Sequence, residues 1–200
     1  LPGAALPSGW TGKNWACHQL SQAARGDLLC FVDCDTTLAP GTISAAVGLQ
    51  EEHGAGLVSL LPRAQRRSLS GSLLLPMVPH AMLALYPMAL VHRPGGQSAV
   101  AFGPFLLVAR EAYDAAGGHA ARADAIVDDV ELSRAVKGAG YPVRLANGTD
   151  LVETAWYRGV GPIWRGFSKN AYGGIGYSPW MAAGVVLGVM PVLLLPFFRV

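Results

Sequence analysis

Residues 27–35 read Asp27-Leu28-Leu29-Cys30-Phe31-Val32-Asp33-Cys34-Asp35. Five apolar residues run without a break and stop at two carboxylates. An unbroken apolar run of this length predicts a strand buried on both faces, in the middle of a parallel sheet. Ligands of open α/β sheets sit off the carboxyl ends of such strands. Asp33 and Asp35 would then place two hard oxygen donors beside a bound substrate. Magnesium and manganese take such donors and complete their shells with water and substrate phosphate. Asp-x-Asp is a common tripeptide that elsewhere would be a solvated loop; the apolar run before it is what argues for a site.

Outward from this stretch the chain alternates. Residues 12–24 predict a helix with Trp15, Ala16, Leu20, Ala23 and Ala24 as its apolar stripe, ended by Gly26. Pro40 and Gly41 open a second helix that runs to His53 and stops at Gly54, and residues 56–61 are a second apolar strand. Strand, helix and strand in this order make a βαβ unit. Residues 99–108 predict another strand, 110–116 a short helix, 128–139 a helix with acidic residues in its first turn and Lys137 in its last, and 141–146 a final strand.

Composition adds a second theme. The chain of 200 residues is 52% hydrophobic and 14% charged, with a mean hydropathy of +0.34. Soluble domains carry roughly 25% charged residues, so the deficit points to a membrane-associated protein. A net charge of +2 is too small to argue for nucleic acid. Cys17, Cys30 and Cys34 form no Cys-x-x-Cys pair, which suggests reduced thiols. Cys30 and Cys34 read as small apolar packing residues, and the carboxylates flanking Cys34 argue against a reactive thiolate.

Two segments lack Asp, Glu, Lys and Arg, one over residues 68–92 and one over residues 170–198. Residues 68–92 follow the basic Arg63, Arg66 and Arg67 and contain Pro76, Pro79 and Pro87. This suits either a helix lying in the membrane interface or a buried helix with irregular ends. Residues 177–200 predict a transmembrane helix, with Tyr177 and Trp180 at an aromatic belt and kinks at Pro191 and Pro196. Arg158, Arg165 and Lys169 precede it and put its N-terminal end, and the domain before it, on the cytoplasmic face of the cell membrane. The chain starts with Leu1 and shows no signal peptide, so it is expected to begin inside a longer protein.

Three short motifs carry a resemblance. They are Gly9-Trp10-Thr11-Gly12-Lys13-Asn14, Asp33-Cys34-Asp35, and Gly117-Gly118-His119 followed by Ile126-Val127-Asp128-Asp129-Val130-Glu131-Leu132. In this order and spacing they resemble the inverting glycosyltransferases of family 2. More narrowly they are similar to the membrane-bound bacterial branch associated with carotenoid and hopanoid glycosylation, which Gly166-Phe167-Ser168-Lys169-Asn170 also resembles. The resemblance covers most of residues 7–172. It implies an α/β, nucleotide-diphospho-sugar transferase (GT-A-like, Rossmann-related) fold with a mostly parallel central sheet, a catalytic domain over residues 1–172, and a nucleotide-diphospho-sugar donor.

It also implies roles. Asp35 matches the direct ligand of a divalent ion (magnesium or manganese), and Asp33 the residue that joins it at the metal and touches ribose or sugar. Asp129 matches the catalytic base that takes the acceptor hydroxyl proton. Asp128 stands where the family has Glu, and Lys13 matches a basic position near the nucleotide. Arg165 or Lys169 would touch the diphosphate. The Gln-x-x-Arg-Trp motif of processive members is absent, since the region reads Val160-Gly161-Pro162-Ile163-Trp164-Arg165. The family's first βαβ segment is expected before Leu1.

Other readings stay open beside this one. Asp128, Asp129 and Glu131 also suit plain helix N-terminal charges. His119 reads as a loop or packing residue, and the five histidines show no metal spacing. Trp156, Tyr157 and Trp164 would line either an acceptor groove or the membrane surface. The expected function is transfer of a single sugar to a lipid-like acceptor with inversion. The enzyme rival is a polyisoprenyl-phosphate or polysaccharide glycosyltransferase, and the non-enzyme rival a membrane scaffold or lipid-binding module.

Overall fold

The computed structural model describes residues 3–65, 82, 86–96 and 98–155, with 161–162, 164, 166, 178–180, 182–184 and 186–188. In chain order its elements are α1 (Gly12–Ala23), β1 (Leu28–Val32), β2 (Thr36–Leu38), α2 (Thr42–His53), β3 (Leu57–Leu61), β4 (Arg63–Ala64), α3 (Met88–Val91), β5 (Phe105–Ala109), α4 (Arg110–Ala115), a 3-10 turn (Ala120–Arg122), α5 (Asp128–Gly138), β6 (Val143–Asn147) and β7 (Val152–Thr154).

The main sheet has the order β1-β5-β3-β6. β1 and β3 are the two strands of the expected βαβ unit, with α2 between them, but they do not touch. β5 lies between them and runs antiparallel to both, from Val32↔Phe105 on one side to Val58↔Leu107 on the other. Among the described strands of this sheet only β3 and β6 pair in parallel. The expected mostly parallel sheet is therefore a mixed one.

This order decides which strand is buried on both faces. All five residues of β5 are buried. Leu106 and Val108 face Leu132 and Val136 of α5, and Phe105 and Leu107 face Ala46 of α2 and Val152. β1 instead lies at the edge of the sheet, with Leu29 its only buried residue. Five apolar residues in a row thus mark a strand but do not rank it central or peripheral. Cys30, expected to pack inside, is exposed for the same reason, and Cys34, also expected inside, is exposed in the turn that follows β1.

The stripe expected on α1 is not the face that docks either. Leu20 is 54% exposed, and the buried residues of the helix are Asn14 and Ser21. This helix is held by hydrogen bonds more than by apolar burial. Thr11 caps its start by accepting from the Asn14 N–H. Arg110 caps its end, donating from its guanidinium to the carbonyls of Gly26 and Ala24.

Two differences of extent remain. The strand expected over 99–108 narrows to β5, because Gly103 and Pro104 turn the chain just before it. A small sheet of β2, β7 and β4 gave no periodic signal, since its strands are only two or three residues long. Residues 66–81 and most of 177–200 lie outside the described residues, and with them most of the expected interfacial and transmembrane segments. Among the described residues no helix is long and apolar enough to cross a membrane.

Candidate active site

β1 delivers Asp33 at its carboxyl end. Because β5 is antiparallel, its entry falls at the same end of the sheet, and the Asp33 N–H reaches the Pro104 carbonyl at 3.4 Å. Gly103 is thereby set beside Asp33. A turn closed by Thr36 N–H to the Asp33 carbonyl carries Asp35 across to the end of β7, where the Ala155 N–H donates to the Asp35 carbonyl at 3.0 Å. Among the described residues the Asp35 side chain receives only a long contact, 3.5 Å from the Thr154 hydroxyl.

Two helix starts complete the site. Lys13, in the first turn of α1, places Nζ 3.0 Å from Asp33 Oδ1 and 3.2 Å from Asp128 Oδ2. Burial alone would lower its pKa, but the charges of Asp128, Asp33 and Asp129 outweigh this and hold the ammonium above its usual range. Asp129, next on α5, accepts from the Gly103 N–H at 2.7 Å and from the Val130 N–H at 2.8 Å. Burial, then the neighbouring charge of Asp128, pushes its carboxyl up to about 6, against the pull of Lys13 and the two N–H groups. The acidic first turn of α5 therefore divides. Asp128 and Asp129 face the site, and Glu131 turns outward to Arg134 at 2.7 Å.

The rear wall holds a hydrogen-bonded chain that orients His119. Ser21 Oγ donates to the His18 carbonyl at 2.8 Å, and the Tyr113 hydroxyl donates to Ser21 Oγ at 3.2 Å. His119 Nδ1 lies 2.8 Å from that hydroxyl, and the His119 backbone N–H donates to the same oxygen at 3.1 Å. Burial lowers His119 to about 4, so the ring is neutral. Gly118 is required here. Its φ is +53°, and a Cβ would stand 2.5 Å from the Tyr113 ring. His119 is a packed, hydrogen-bonded wall residue. Cys17, on the same face of α1 as Lys13, is raised to about 11 by burial and then by Asp128, which makes it a poor nucleophile.

A cavity of about 390 Å³ is lined by the polar Lys13, Asp33, Gly103, His119 and Asp128 and by the apolar Leu20, Ala24 and β1, and Asp129 lies behind Gly103 rather than on this lining. Among the described residues no three His, Cys, Asp or Glu side chains converge as a metal cage. Asp35 and Asp33 fit a divalent ion only in the manner of one or two carboxylates with phosphate and water. Arg165 and Lys169 lie outside the described residues.

Gly103 was not visible as a site residue in the sequence, where Gly-Pro before a strand is ordinary punctuation. A Cβ at this position would lie 3.1 Å from both Asp129 Oδ2 and Lys13 Nζ. Gly103→Ala is expected to push these charges apart and lower activity about tenfold, and Gly103→Val to lower it further, since small misplacements in a reacting site cost up to about 10²-fold. Assays beside circular dichroism check this; full activity in the valine variant would refute it.

The chain is 28% identical over 184 residues to a 4,4'-diaponeurosporenoate glycosyltransferase of Staphylococcus aureus (strain MRSA252), covering 89% of this chain and 48% of the relative. It thus spans about half the length of the curated relatives it matches. Among solved structures, the mannosyltransferase PcManGT from Pyrobaculum calidifontis, in complex with GDP-Man and Mn2+, superposes with a TM-score of 0.53 at 16% identity, over 81% of this chain and 49% of that one. Glucosyl-3-phosphoglycerate synthase from Mycobacterium tuberculosis, in complex with Mn2+, UDP-glucose and phosphoglyceric acid, gives 0.51 at 18% identity, over 88% and 57%. These show the nucleotide-sugar transferase fold, and the resemblance to carotenoid-associated bacterial glycosyltransferases is borne out. The profile of glycosyl transferase family 21 matches residues 6–156, and the chain belongs to that family.

Proposed function

We propose that this chain carries the catalytic site of a glycosyltransferase that moves one sugar from a nucleotide-diphospho-sugar to a lipid-like acceptor, with inversion. The observation that carries this is Asp129, a carboxylate held by two N–H groups. It lies at the sheet end that also bears Asp33 and Asp35. Asp129 takes the proton from the acceptor hydroxyl as that oxygen attacks the anomeric carbon. The bond from that carbon to the diphosphate breaks, and the nucleoside diphosphate leaves with its electron pair. One displacement inverts the anomeric centre.

Lys13 holds Asp33 and Asp128 in place and offsets their charge next to an anionic donor. Magnesium or manganese, when bound at Asp35 and Asp33, would supply the positive charge that the leaving diphosphate needs. Arg165 or Lys169 is proposed to add to it. The acceptor class rests on the relative's name and on the apolar end of the chain, where Trp180 and Leu187 are 86% and 77% exposed. The apolar end also supports anchoring at the cell membrane, and Arg158, Arg165 and Lys169 before it support a site on the cytoplasmic face. Product analysis with labelled donor separates one sugar on a neutral lipid from a lipid phosphate or a polymer.

Calorimetric titration of the intact, detergent-solubilised protein with UDP tests the donor site. Binding is expected to depend on manganese and to disappear in Asp35→Ala. If UDP, GDP and other nucleoside diphosphates all fail to bind with the metal present, the enzyme reading falls and the scaffold reading replaces it.

A further inference from the structure

Asn14 is a polar residue of α1 that the reaction described above does not use, yet it is 1% exposed. Its Nδ2 donates to the carbonyls of Arg122 at 2.7 Å, Ala123 at 3.1 Å and Ala125 at 3.0 Å. The Thr11 N–H adds a bond to the Ala123 carbonyl at 2.8 Å. The first turn of α1 is thus closed onto a loop more than a hundred residues away in sequence. That loop runs directly into α5, whose first two residues are Asp128 and Asp129.

The residue is held for its donors. Its Oδ1 is buried with no hydrogen-bond partner among the described residues, a penalty that a space-filling side chain would not carry. Carbonyls only accept, so no other orientation of the amide serves them. An amide on a short stem is what this loop selects, and Lys13 is its neighbour in the chain. The 3.2 Å approach of Lys13 Nζ to Asp128 therefore depends on where Asn14 pins the helix.

We propose that Asn14 is a positioning residue for sugar transfer: it acts through Lys13, by locking the first turn of α1 to the approach to α5. This rests on the reading of Asp129 as the base, but its test does not rest on activity alone. Asn14→Ala, Lys13→Met and the double variant are made in the intact protein. Each is assayed for kcat and donor KM, and separately unfolded in urea without substrate.

Asn14→Ala is expected to lower kcat about tenfold or more with a smaller change in KM. In the Lys13→Met background the same change should cost less than about twofold, because coupled residues do not add. The shift of the urea midpoint should shrink in the same way. Asn14→Ser, which keeps a donor on a short stem, should recover part of the loss, and it takes over the cycle if Asn14→Ala does not fold. Additive effects in both readouts would overturn the proposal. An unsubstituted protein that transfers no sugar would refute the functional reading and leave the urea cycle to decide on Asn14.

Discussion

Asp129→Asn is expected to lower kcat/KM for sugar transfer by about 10²–10⁴-fold, the range that a positioned general base contributes. The substitution keeps the shape of the side chain and its acceptor toward the Gly103 N–H, and removes the group that receives the proton. Asp128 does not replace it, because its carboxylate is engaged by Lys13 at 3.2 Å. The pH profile gives a second handle. Burial and then Asp128 raise Asp129 to about 6, and the base works only when deprotonated. Activity of the unsubstituted protein should fall by about tenfold per unit as pH drops below 6, and be flat just above it.

The sign for stability runs the other way. A carboxyl raised on folding favours the folded state at low pH, and that advantage is lost as pH rises through about 6. Asp129→Asn removes the titration, so the variant should fold and show a flatter dependence of stability on pH across that range. Initial rates with labelled donor between pH 5 and 8, beside thermal unfolding, measure both. Unchanged transfer in a folded Asp129→Asn protein would sink the assignment of the base.

Lys137→Met is expected to destabilise the fold by about 2–4 kcal/mol, the range for a buried polar network that loses its donor. Lys137 is 5% exposed. Its Nζ donates to the carbonyls of Leu90 at 3.0 Å, Val91 at 2.6 Å and Ser98 at 2.6 Å. Three donors meet three acceptors, and two of those acceptors belong to the last residues of α3. Burial, and then Arg144, lower the pKa of the ammonium, so replacing it with methionine relieves a desolvation cost. The orphaned carbonyls outweigh that relief because they stay where they are, beneath α5, with nothing to accept from. Urea unfolding of the two proteins checks it, and an unchanged midpoint would show that water replaces the ammonium at no cost.

Much of the fold was legible. α2, with its left-handed Gly54 stop, and α5, with its acidic first turn, lie within a residue or two of where spacing placed them. Asp128 and Asp129 carried two readings, helix-start charges and a site, and the two do not exclude one another, since the start of α5 sets Asp128 against Lys13 and Asp129 against Gly103. α1 misled because its docking face is polar. Asn14 and Ser21 bury hydrogen bonds, which leave no apolar period to read.

The sequence by itself determined the strands and helices that have enough residues to show a period. It also determined the chemical types at the site, because Asp-x-Asp and Asp-Asp sit at strand and helix ends where local geometry exposes them. Only the tertiary structure decided that β5 enters antiparallel between β1 and β3. That choice moved β1 to the edge of the sheet, set Gly103 against Asp129, and left Lys13 between Asp33 and Asp128. Strand order follows from which apolar faces can be buried together across the whole chain. Such a sum over distant residues has no local pattern from which it could be read.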